Sequence, residues 1–148
     1  MPTETLGEVL FHAGEHVTVE IGTGGVTKGD PVKIEGASTK AGIYIKVITA
    51  GGEVTDVIIG TALETKSAGA LGAMRISGPV VFMTGKATVT IGAWVGPSGT
   101  AGQLSDVDNS VGTLAFRPCV GVAWKAVASS TRVIPVQLMP CIFARYAS

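Results

Sequence analysis

Punctuation by glycine and proline sets the tightest limit on this fold. With 21 Gly and seven Pro among 148 residues, no window is long enough for an apolar stripe of helical period. Long helices are excluded, and the short runs between breaks alternate with the two-residue period of half-buried strands. Val17-Thr18-Val19-Glu20-Ile21 places Val, Val and Ile on one face, and Ala87-Thr88-Val89-Thr90-Ile91 repeats the device with Thr on the other. Ile43 to Thr49, Val54 to Ile59, Val80 to Met83, Cys119 to Trp124 and Val133 to Leu138 are further runs bounded by Gly, Pro, Ser or Asp. The spacing predicts an all-β chain, a small barrel or sandwich.

The chain also repeats itself. Val26-Thr27-Lys28-Gly29-Asp30-Pro31-Val32 returns as Val89-Thr90-Ile91-Gly92-Ala93-Trp94-Val95, Ile59-Gly60-Thr61-Ala62-Leu63 as Val120-Gly121-Val122-Ala123-Trp124, and Met74-Arg75-Ile76 as Val136-Gln137-Leu138. The block order is conserved, so two related β-rich halves, about 17–80 and 81–138, are expected within a β domain over 11–138. An N-terminal arm (1–10) and a C-terminal tail (139–148) flank it. Gly29 and Gly92 suit turns that a Cβ resists, after which strands begin at Val32 and Val95. Pro135 lacks an N–H, which places the last strand at an edge or turns that side to solvent.

Charged residues are 15% of the chain, against about 25% in an ordinary soluble domain. No run approaches the ~20 apolar residues of a spanning helix, so a membrane is not expected as partner. The start Met1-Pro2-Thr3-Glu4-Thr5 lacks the pattern of a secretion signal, which points to a product made inside the cell. Eleven basic and eleven acidic residues give zero net charge with no run of either sign, which argues against nucleic acid. Cys119 and Cys141 are too few and too far apart for a disulfide scaffold or thiolate zinc site, and are expected as buried thiols.

Candidate chemistry is thin. His12-Ala13-Gly14-Glu15-His16 has the spacing of an inverted zinc-protease motif, which needs a helix. Gly14 and the following strand put it on a turn instead. Asp106-Val107-Asp108-Asn109-Ser110 opens like a calcium loop, but Val111 and Arg117 stand where Gly and Glu belong; a polar turn is expected. The Gly-rich stretch from Gly22 to Gly29 lacks the phosphate-loop ending and reads as a hairpin connection. Trp94 and Trp124 are interface or ligand candidates, with core packing favoured, for Trp124 because it aligns with Leu63. No catalytic residue, metal or cofactor is assigned.

The segments Gly25-Val26-Thr27-Lys28-Gly29-Asp30-Pro31-Val32, Ile59-Gly60-Thr61-Ala62-Leu63-Glu64 with Ala68-Gly69, and Val120-Gly121-Val122-Ala123-Trp124 resemble those of capsid cement, or head-decoration, proteins of tailed bacteriophages, over about Phe11 to Leu138. The resemblance implies a small β-rich fold, assembly as a homotrimer, no enzymatic activity, and a place on the capsid exterior of the virion after synthesis in the host cytoplasm. There such a protein stabilises the head by clamping neighbouring copies of the major capsid protein. Leu6, Val9, Leu10 and Phe11 are then expected to touch capsid subunits, and Ile142, Phe143 and Tyr146 to join copies of this chain. Two competing functions stand beside it: a metal-dependent hydrolase using His12, Glu15 and His16, and a receptor- or carbohydrate-binding β-module of a virion with Trp94, Tyr44 or Tyr146 as stacking platforms.

Overall fold

The computed structural model describes residues 16–76, 80–84, 89–107, 114–126 and 133–146. Among them there is no helix, as the glycine and proline pattern requires. Strands β1 (His16–Ile21), β2 (Pro31–Ala37), β3 (Ile45–Thr49), β4 (Gly60–Ala62) and β5 (Leu71–Arg75) close a barrel in the order β1-β3-β2-β4-β5. Its one parallel contact is β1 with β3. Strands β6 (Val80–Thr84), β7 (Trp94–Pro97), β8 (Leu104–Asp106), β9 (Leu114–Ala123) and β10 (Val133–Tyr146) form an antiparallel sheet ordered β6-β10-β9-β7-β8.

These are two editions of one sheet. In the barrel Val32 pairs with Gly60 and Ala62 with Met74; in the open sheet Val95 pairs with Gly121 and Ala123 with Val136. Val17 opposite Met74 is matched by Val81 opposite Val136. The order β3-β2-β4-β5-β1 therefore corresponds to β8-β7-β9-β10-β6. The end strands of the first series zip together through Glu20 with Lys46 and Ile21 with Val47. Among the described residues the ends of the second, β6 and β8, do not pair with one another.

Two cores follow from this plan. Val19, Ile21, Val26, Val32, Val47, Ala62 and Met74 fill the barrel. The second core gathers Val89, Val95, Leu104, Val120, Ala123, Ile134, Val136 and Leu138, and also takes Ala50 and Ile58 from the first half. Residues 50–58 thus bind the halves together, with Ile58 alone contributing about 1.5–3 kcal/mol by burial. The Gly99 N–H donates to the Gly51 carbonyl at 2.8 Å and the Gly102 N–H to the Ala50 carbonyl at 2.7 Å. Gly51 has φ 107°, and a Cβ there would stand 2.9 Å from the Gln103 carbonyl oxygen, so only glycine fits this junction without strain.

Several local expectations change. The run from Val54 to Ile59 is not a strand: the Asp56 carboxylate accepts the Gly51 and Glu53 N–H groups, at 2.9 and 3.3 Å, and folds the backbone back on itself. Thr90 and Ile91 lie in a turn closed by Ala93 N–H to Thr90 carbonyl, while Ala87 and Thr88 fall outside the described residues. The stretch from Gly22 to Gly29 is no hairpin, because β3 stands between β1 and β2 in the barrel. Pro135 does not mark an edge, since β10 is flanked by β6 and β9. The carbonyl of Pro135 accepts the N–H of Trp124, one residue past the end of β9, so its missing donor falls where that ladder is already ending.

Beyond Leu138 the chain continues as β10 to Tyr146, paired with β9 after a register shift between Leu138 and Cys141. Cys119 is disulfide-bonded, not a free thiol. The second cysteine of the chain is Cys141, directly opposite it in the ladder. Sequence separation concealed this, because an antiparallel return brings distant positions face to face. A link closing a loop of this length contributes ~3 kcal/mol.

Candidate interaction surface

Each half carries the same turn. Asp30 N–H donates to the Thr27 carbonyl at 3.0 Å and Ala93 N–H to the Thr90 carbonyl at 3.1 Å. Gly29 (φ 92°) and Gly92 (φ 80°) occupy the left-handed position. Each glycine then donates to the neighbouring strand, Gly29 to Ala62 at 2.9 Å and Gly92 to Ala123 at 2.7 Å. The next residue along, Leu63 or Trp124, donates to the carbonyl of Ala73 or Pro135. Carboxylates brace both turns from different places: Asp30 accepts the Thr27 N–H and the Thr49 hydroxyl, while Asp106 accepts the Thr90 N–H at 3.2 Å. Asp106, read as the start of a polar turn, thus ends β8 and is buried; Asp108 to Ser110 lie outside the described residues.

On one backbone plan stand two different surfaces. The barrel turn presents exposed Lys28 beside half-buried Leu63. The sheet turn presents Ile91, 64% exposed, beside Trp124, 56% exposed. Core packing of Trp124 is therefore overturned: residue 124 follows the last residue of β9, and its indole stands largely in solvent although its N–H still bonds the Pro135 carbonyl. Trp94 is half-buried, opposite Val122. Ile34, Val54, Val57, Leu71 and Met139 are also exposed.

The remaining candidates divide clearly. Leu6, Val9, Leu10, Phe11, His12 and Glu15 lie outside the described residues. His16 opens β1, exposed, opposite Arg75. Among the described residues no three His, Cys, Asp or Glu gather as a metal site. Ile142, Phe143 and Tyr146 extend β10 opposite Pro118, Arg117 and Leu114 of β9. Tyr44 is half-buried just ahead of β3.

The Asp56 carboxyl titrates below its ordinary range. Burial pushes its carboxyl up, but hydrogen bonds from the Lys33 ammonium and from the Gly51 and Glu53 N–H groups, with the Lys33 charge, outweigh it and hold the acid below its ordinary range. Lys33 Nζ lies 2.7 Å from Asp56 Oδ1. This pair fixes the loop that joins the two cores, and nothing in the sequence spacing announces it. The repeat sets Ile91 where the barrel has Lys28, but the alignment of Trp124 with Leu63 points inward and does not disclose the exposed indole.

The chain matches no known protein-family model. No curated protein matches it as a relative.

Proposed function

We propose that this chain is a structural decoration protein of a tailed-phage head, which binds the outer surface of the expanded capsid, associates with copies of itself as a trimer and clamps neighbouring major capsid subunits. The observation that carries the reading is a chain poor in charge in which Ile34, Val57, Ile91 and Trp124 stand more than half exposed. Apolar side chains left in water gain stability when a partner covers them. The resemblance of the repeated Gly-Val-Thr-Lys-Gly-Asp-Pro-Val and Ile-Gly-Thr-Ala-Leu segments to cement proteins supplies the partner.

The disulfide at Cys119 supports the same reading. Such bonds are rare in proteins that stay in a reducing cytosol and common on virion surfaces, so oxidation after release suits a protein on the particle exterior. In this role the apolar arm residues Leu6, Val9, Leu10 and Phe11 touch the capsid, and the end of β10 with Ile142, Phe143 and Tyr146 serves contacts between copies.

A decoration protein stabilises an expanded shell only through higher affinity for that state than for the unexpanded one. Purified protein should therefore co-sediment with expanded heads of the phage that carries its gene, and at least about tenfold more weakly with unexpanded heads. Equal binding to both, or none to either, would reject the proposal.

A further inference from the structure

The sheet turn and the barrel turn form an internal comparison. Backbone hydrogen bonds at Gly29 with Ala62 and at Gly92 with Ala123 are equivalent, so the fold does not dictate which side chains sit there. The barrel edition carries a lysine and a half-buried leucine. The sheet edition carries an isoleucine and an indole that are both more than half exposed, with exposed Lys125 beside them. Two large apolar side chains held in water on a braced turn cost solubility, and the other half shows that the backbone does without them. Tryptophan at such a site is the residue type most often found to dominate binding energy.

We propose that the Ile91–Trp124 turn is the anchor by which this protein seats on the shell, the indole entering an apolar recess on a capsid subunit. This rests on the capsid reading above and names the surface that would perform it. Patch size favours that occupant over a second copy. A whole indole side chain buries on the order of 150–250 Å², whereas a stable pair of proteins needs about 800 Å² per partner. One Trp and one Ile are too small to hold two free copies together. They suffice when each trimer sets three such anchors at once on a fixed array, where linkage raises the effective concentration of every further contact.

The test exchanges the turn for its own counterpart. The double variant Ile91→Lys, Trp124→Leu places the barrel's residue types on a backbone already known to carry them. It should keep the native mass in solution and a thermal midpoint within a few degrees, while affinity for expanded heads falls roughly 30-fold, as for loss of a binding hot spot. Lys28→Ile should leave binding unchanged. A second readout needs no change at the turn: in Trp94→Phe, Trp124 is the remaining indole, and its emission should move to shorter wavelength when expanded heads are added. If the wild-type protein does not bind heads, the capsid reading fails and this inference with it. If the wild type binds and the double variant binds within about threefold, or the Trp124 emission stays fixed, the anchor is overturned while the capsid reading stands.

Discussion

Gly121→Ala should destabilise the protein by about 3 kcal/mol or more, lowering the thermal midpoint by ~10 °C. Gly121 lies in β9 against β10, and a Cβ built on it would overlap the backbone carbonyl of Gln137. Carbonyl oxygen in a ladder has no rotamer by which to move aside, so relief requires separating the strands, and with them Ala123 from Val136. The barrel repeats the constraint at Gly60, whose Cβ would meet the Arg75 carbonyl. Gly24→Ala is the control: that glycine has φ +85° with nothing within 4 Å of a Cβ, so only the left-handed backbone resists, at about 1 kcal/mol. Urea unfolding of the three proteins checks the ranking. Equal stability of the Gly121 and Gly24 variants would show that the strands are not packed as described.

Asp56→Ala should cost about 2–3 kcal/mol at neutral pH. It strands the Lys33 ammonium, 29% exposed, and leaves the Gly51 and Glu53 N–H groups without their acceptor. The damage is not local, because residues 50–58 deliver Ala50 and Ile58 to the second core. The pH dependence has a definite sign. The folded-state acid is held below its ordinary range, so its contribution is complete above the unfolded value of about 3.9 and disappears as pH falls through the lower folded value. The stability difference between wild type and Asp56→Asn should be constant from pH 5 to 7 and shrink below about pH 4. Denaturant midpoints across that range measure it, and a difference that persists at pH 2 would remove Asp56 from its assigned place.

Fold class was legible because it depends on local chemistry. Alternation over Val17 to Ile21 and glycine spacing around Gly29 and Gly92 act within a few residues, and the strands and turns appear there. The small residues of the repeated segments, Gly60 and Gly121, stand at corresponding pairings, opposite Val32 and Val95. What escaped is set by tertiary pairing. Val54 to Ile59 has the composition of a strand, but the carboxylate of Asp56 captures the nearby amides and turns it into a loop whose Ile58 serves the other half. Cys119 and Cys141 meet through the antiparallel return of β10, and Pro135 is tolerated in a central strand because its neighbour β9 ends beside it. Alignment with Leu63 does not disclose the exposure of Trp124.

Imaging where the protein sits tests the proposed function most directly. Reconstruction of expanded heads of the phage that carries the gene, at a resolution that separates strands, should show this barrel and open sheet on the outer face, at three-fold positions between major capsid subunits. Heads with no density for it outside the capsid floor, or with it in the tail instead, would contradict the proposed place on the head exterior.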